Sequence, residues 1–204
     1  MSAAPGTVFI IDDDPSFLRA TTRQLRARGF EVVAFGSAQA FLAGVDPAAV
    51  GCVLTDYRMP GMNGLELQET LGRSGCLMPV VFLTGHGDIP TTVQAMRRGA
   101  VNFLTKTASI EAQTAAVEEA LRLGRQRSLE RDRLAALQRL FAALSSREHE
   151  VLQHVLQGKL NKQIASDLGI HERTVKLHRA AISRKLGVRS VAELARLARD
   201  AGMA

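Results

Sequence analysis

Three consecutive carboxylates, Asp12, Asp13 and Asp14, follow the apolar run VFII at residues 8–11. Other apolar runs end in residues able to do chemistry: Asp56 closes GCVLTD, Thr84 closes VVFLT, and Lys106 follows NFLT. Crowded carboxylates raise one another's pKa unless a cation or N–H donors offset the repulsion, so such a cluster is how a site for a hard cation begins. Mg2+ takes oxygen ligands, commonly from one or two carboxylates, and leaves positions to water and phosphate oxygens. Asp13 and Asp56 suit direct ligation, with Asp12 holding a coordinated water. Lys106 would offset phosphate charge and the Thr84 hydroxyl would donate a hydrogen bond, which together describe phosphoryl transfer onto a carboxylate. The lesser alternative for Thr84 is to cap a turn, and Asp14, followed by Pro15 and Ser16, is assigned to the start of the next helix.

These residues must be brought together by the elements that carry them. Short runs rich in β-branched and aromatic residues (TVFII, FEVVAF, GCVLT, PVVFLT, AVNFL) alternate with helical spacing over residues 15–28, 64–73, 89–98 and 109–123. Five continuous apolar strands alternating with helices predict an α/β, doubly wound parallel sheet covered on both faces. Ligands in such sheets sit beyond the carboxyl ends of the strands, so Asp12, Asp13, Asp56, Thr84 and Lys106 share one edge. The second strand brings no such residue and is expected at the sheet's border.

The 204 residues, 46% hydrophobic, suffice for two small domains with separate cores. No apolar run approaches the roughly 20 residues of a membrane span, and MSAAPGT has no signal-peptide character, so a cytoplasmic location and no membrane partner are expected. Cys52 and Cys76 read as small core residues. Charge is unevenly distributed. Residues 1–124 carry 10 Lys+Arg against 12 Asp+Glu (net −2), residues 125–142 carry 5 against 2 (+3), and residues 143–204 carry 11 against 6 (+5). A basic small domain behind an acidic one is the electrostatic footprint of nucleic-acid binding.

Residues 109–141 contain almost no breaker apart from Gly124 and predict one long helix or two in tandem, with Leu121, Leu129, Leu137 and Leu140 available to a partner. Four short helices follow Leu144. The first is capped by Ser145 or Ser146, NKQIASDL is stopped by Gly169, ERTVKLHRAAISRKL is stopped by Gly187, and the last runs from about Ser190 to Arg199. A short helix, a glycine turn and a longer basic helix form a helix-turn-helix pattern. On a wheel centred on Val175, Ile182 and Leu186 fall within about 20° and are the buried stripe. Arg173, Lys176, Leu177, Ala180 and Arg184 fall opposite. An apolar Leu and a small Ala among cations suit a major groove, where thymine methyls are met and close approach is needed.

The stretches IIDDDPS, LTDYRMPGMNGLEL, VVFLTGHGD and AVNFLTK, in this order, resemble a two-component receiver domain. The resemblance implies that Asp56 accepts a phosphoryl group from the phosphohistidine of a sensor histidine kinase. It further implies that Asp12, Asp13, Asp56 and the backbone carbonyl of Arg58 serve Mg2+, and that Thr84, Lys106 and the switch residue Phe103 read the result, leading to a homodimer. Receivers usually follow this lysine with a cis proline, whereas here Thr107 follows. A cis bond before a non-proline residue costs about 2.5–4 kcal/mol, so a trans bond is expected, with Lys106 presented differently and phosphorylation or its readout weakened.

The segment LSSREHEVLQHVLQGKLNKQIASDLGIHERTVKLHRAAISRKLGVRS resembles the LuxR-type, four-helix DNA-binding domain. The resemblance puts Lys176, Leu177 and Ala180 at bases and Lys162, Arg173, Thr174 and Arg184 nearer phosphates. His171 stands where that family has Ser or Thr, so a weaker start to the recognition helix is expected. The two halves together resemble response regulators, among them the nitrogen-fixation and styrene-catabolism regulators, a likeness to which the GHGD stretch at 85–88 contributes. The expected organisation is a receiver (1–124), a helical linker (125–142) and a DNA-binding domain (143–204). The implied function is transcription regulation rather than enzymatic turnover, with promoter DNA and RNA polymerase as partners. Two other readings remain at this point. One is a DNA-binding regulator with a phosphorylation-independent receiver. The other is a haloacid-dehalogenase-type phosphatase, since Asp12, Asp14 and Ser16 approximate its strand-end signature.

Overall fold

The apolar runs form strands because β-branched and aromatic side chains fit a pleated surface, and they lack polar alternation because both faces are covered. The computed structural model describes residues 6–85 and 89–203. The strands are β1 (Thr7–Ile11), β2 (Val32–Phe35), β3 (Gly51–Asp56), β4 (Val80–Thr84) and β5 (Asn102–Thr105), all parallel, in the order β2-β1-β3-β4-β5. Five helices accompany them: α1 (Pro15–Ala27), α2 (Ala38–Gly44), α3 (Gly64–Arg73), α4 (Ile89–Arg97) and α5 (Ile110–Ala142). The second strand lies at the border, as its lack of a reactive terminal residue suggests.

Alternate strand residues supply two cores. Phe9, Ile11, Val53 and Phe82 pack with Phe41 of α2, Leu67 of α3 and Ala95 of α4. Ile10, Leu54, Val81 and Leu83 pack with Leu25 of α1 and with Val117 and Leu121 of α5. The short α2 has no counterpart in the periodicity of the sequence. Its seven residues give less than a full amphipathic repeat, and its clearest signal is Ser37, whose Oγ accepts the Ala40 N–H at 3.2 Å as an N-cap.

Gly124 does not interrupt α5. A Cβ there would come within 2.6 Å of the Gly51 carbonyl oxygen and 3.1 Å of Pro79 Cδ, so the glycine lets the helix lie against the start of β3. The stripe of leucines on α5 divides: Leu121 is core, Leu137 packs on the second hydrophobic cluster of the C-terminal helices, and Leu129 and Leu140 are exposed.

The chain divides into two compact units between Leu129 and Glu130. In the second, α6 (Ser146–Leu156), α7 (Asn161–Leu168), α8 (Glu172–Leu186) and α9 (Val191–Asp200) enclose Phe141, Val151, Leu152, Ile164, Val175, Ile182, Leu186 and Leu194. Ser145 caps α6 in a reciprocal box with Glu148. Gly169, at φ 64°, ends α7 in the left-handed conformation that permits the sharp turn into α8. No described helix is long and apolar enough to cross a membrane.

Candidate functional site

The parallel register brings the ends of β1, β3 and β4 and the residue after β5 to one edge of the sheet. Asp12 is almost fully buried, and its Oδ1 accepts the Asp14 N–H at 2.9 Å. Its Oδ2 lies 2.7 Å from Lys106 Nζ in an ion pair. Asp56 is also buried; its Oδ1 accepts the Arg58 N–H at 3.1 Å and its Oδ2 lies 2.6 Å from the same Nζ. Exposed Asp13 completes the set, and Asp12, Asp13 and Asp56 each offer an oxygen within 4.8 Å of the others. Asp14 stands apart from them: its Oδ1 accepts the N–H groups of Ser16 and Phe17, capping α1 ahead of Pro15.

Burial raises the Asp12 pKa, against the opposing pull of Lys106 and the Asp14 N–H. Burial pulls Lys106 downward, but its contacts with Asp12 and Asp56 outweigh that and leave its pKa above the ordinary lysine value. The charged lysine is therefore held between two carboxylates, with the Phe17 ring 4.6 Å below the ammonium. Its backbone N–H donates to the Thr84 carbonyl at 2.7 Å, which fixes the start of the loop. Thr84 is itself buried at the end of β4. There is no cis peptide bond among the described residues, and Thr105 and Thr107 hydroxyls lie 3.1 Å apart across the turn. With Thr107 following it, Lys106 is anchored through its backbone at the Thr84 carbonyl, and its side chain reaches both carboxylates.

Phe103 is half-buried on β5 and meets Tyr57 at 6.2 Å and Phe82 at 5.8 Å between ring centroids. Sequence reasoning did not single out Tyr57, Phe17 or Gly64. Gly64 has a detectable signal, since it follows Asn63 at the start of α3. A Cβ on Gly64 would lie 2.5 Å from the Asp56 carbonyl oxygen, and its N–H donates to the Tyr57 carbonyl at 3.0 Å, closing the loop that carries Arg58. Of GHGD, His86, Gly87 and Asp88 lie outside the described residues.

In the second unit Val175, Ile182 and Leu186 are buried, while Arg173, Lys176, Leu177, Ala180 and Arg184 are exposed and Thr174 is half-buried. Leu177 is 64% exposed, between the exposed cations Arg173, Lys176 and Arg184 of the same helix. Lys162 is exposed on the first turn of α7. His171 is the N-cap of α8 and makes no side-chain cap hydrogen bond. Lys185, on the last turn of α8, is paired with buried Glu148 of α6 at 2.7 Å.

A doubly wound domain with an acidic pocket at its strand ends, carried on the same chain as a helix-turn-helix unit, defines a receiver joined to a DNA-binding module. Comparison with known families agrees: the response regulator receiver domain matches residues 8–118, and the luxR family of bacterial regulatory proteins matches residues 142–198. The chain belongs to the LuxR-type response regulators and is a DNA-binding transcriptional regulator of two-component type. It is similar to nodulation protein W of Bradyrhizobium diazoefficiens, 42% identical over 96% of this chain and 86% of that one. It is also similar to the response regulator TodT of Pseudomonas putida, 42% identical over 97% and 87% of the two chains. Among solved structures, response regulator StyR shares 47% identity with a TM-score of 0.84, covering 95% of this chain and 98% of the other.

Proposed function

We propose that Asp56 is the phosphoacceptor of this regulator and that a sensor histidine kinase is the donor. The observation that carries the reading is the position of Lys106 Nζ, 2.7 Å from Asp12 and 2.6 Å from Asp56, beside a third carboxylate on Asp13. An Asp56 carboxylate oxygen attacks phosphorus, the N–P bond of the phosphohistidine breaks, and the departing imidazole takes up a proton. Lys106 offsets the charge of the phosphoryl oxygens and Thr84 donates to one of them, drawing the ends of β4 and β5 together. Phe103 follows that movement, because it already packs on Tyr57 beside Asp56. The hard oxygen donors of Asp12, Asp13, Asp56 and the Arg58 carbonyl fit Mg2+, which when bound neutralises charge at the acceptor.

The downstream effect is dimerisation of residues 1–124 through the helical linker 125–142 to the DNA-binding residues 143–204, and promoter binding from which RNA polymerase is engaged. Lys176, Leu177 and Ala180 face bases, and Lys162, Arg173, Thr174 and Arg184 serve phosphates. The test is incubation of the full chain with acetyl phosphate and Mg2+. One phosphoryl group is expected on Asp56, with a shift to dimer and tighter binding to a duplex selected by the protein. Asp56→Asn protein should do none of these; donor-independent dimerisation and binding by wild type and variant alike would exclude the reading.

A further inference from the structure

The helix-turn-helix contains a directed contact that neither reads a base nor neutralises a phosphate in the assignments above. Arg179 Nη1, midway along α8, donates to Asn161 Oδ1, on the first turn of α7, at 2.9 Å. Arg179 is half-buried, whereas Arg173, Lys176 and Arg184 on the same helix are exposed. The start of α7 needs such an anchor. Its N-cap is Leu160, 70% exposed and without a side-chain oxygen; the cap region is closed by Gln163 Oε1, which accepts the Leu160 N–H at 2.8 Å. Ile164 and Ala165 hold α7 to the core by apolar packing, which is not directional. A guanidinium N–H donated to an amide oxygen is directional.

We propose that Arg179 and Asn161 form a clamp that sets the first turn of α7 against α8, so that Lys162 meets a phosphate in the same register in which Lys176 and Leu177 meet bases. Arg179 is thus a positioning residue, and holding its long side chain before DNA arrives removes part of the ordering cost of binding. The inference rests on the assignment of Lys162 to phosphate and of the exposed α8 face to bases.

The test uses the full chain, a duplex selected from a random pool by the wild-type protein, and an unrelated duplex of equal length. Arg179→Ala and Asn161→Ala should each weaken binding to the selected duplex on the order of tenfold. Binding to the unrelated duplex should change by no more than about twofold, and the double variant should be no worse than either single one by more than about twofold. Melting temperature and salt slope should be kept. Arg179→Lys, which retains charge but not the planar guanidinium, should restore little. Three outcomes would overturn the clamp: a salt slope lowered by about one with Asn161→Ala silent, which makes Arg179 a phosphate contact; additive losses; or an affinity loss that only accompanies unfolding in both single variants. Failure of the underlying reading is distinguishable, because it would leave Lys162→Ala without effect on the salt slope.

Discussion

Lys106 Nζ lies 2.6 Å from Asp56 Oδ2 although threonine, not proline, follows the lysine. Asp12 and Asp56 are both buried and face the same ammonium. Lys106→Met would leave two buried carboxylates without their cation, and removing one partner of a buried pair exposes the uncompensated charge of the other. The expected loss at neutral pH without Mg2+ is on the order of 2 kcal/mol, partly recovered by added Mg2+ through binding to the folded state. Tyr57 is the single tyrosine and there is no tryptophan, so tyrosine emission during urea unfolding reports this unit alone. A variant as stable as wild type in Mg2+-free buffer would refute the expectation.

Gly64 lies so close to the Asp56 carbonyl that a Cβ has no room there. With Ala, a Cβ 2.5 Å from the Asp56 oxygen and 2.8 Å from Phe82 Cε1 forces either the loop or the aromatic ring to move. Overpacking of this kind costs about 1–3 kcal/mol. Gly64→Ala is therefore expected to slow modification of Asp56 by acetyl phosphate, whereas Gly72→Ala, at a position with open space around it, should leave the rate unchanged. Equal rates in the two variants would show that the tight approach does not matter to the site.

The strand ends were readable because apolar runs of β type end abruptly in charge: Asp12, Asp56, Thr84 and Lys106 each sit where a continuous run stops, and parallel pairing does the rest. The bounds of α7 and α8 were readable because Gly169 and Gly187 punctuate them. What was not readable depends on distant partners. Nothing near Phe17 announces that it will lie under Lys106, 89 positions on. Gly124 looked like a breaker because local propensity disfavours glycine in a helix, and only the contact with Gly51 explains it. Likewise the anchor of the loop that carries Thr107, the Thr84 carbonyl, belongs to another strand.

Lys176 and Lys162 are both exposed cations, yet they stand on different elements: mid-face on α8 and first turn on α7. Phosphate contacts carry no sequence information, whereas base-edge contacts do. Lys162→Ala should weaken binding to selected and unrelated duplexes alike and lower the salt slope by about one. Lys176→Ala should cost about 1–3 kcal/mol on the selected duplex and relax the preference at one position of the site. Competition against single-base variants of that duplex separates the two, and a uniform loss for Lys176→Ala would remove it from the base-reading set.

Glu148 gives the C-terminal unit a defined acid limit. Its hydrogen bond to Lys185, together with the Ser145 N–H, holds the carboxyl at about 2, well below its ordinary value of 4.5. A depressed carboxylate stabilises the folded state fully above the unfolded pKa, and the contribution is lost as pH falls through the folded one. The window therefore runs from about 4.5 down to about 2. Because Lys185 is 41% exposed, water screens the pair, and its contribution is on the order of 1–2 kcal/mol rather than the full equivalent of the shift. Glu148→Gln should lose that stability at pH 7 and show a flatter decline between pH 4.5 and 2. Amide exchange of α6 and α8 in the full chain, followed by mass spectrometry, localises the effect to this unit. Lys185→Met should flatten the decline as well, since it removes the hydrogen bond that contributes most to depressing the Glu148 carboxyl; a steep wild-type-like decline in both variants would assign the acid limit to other groups.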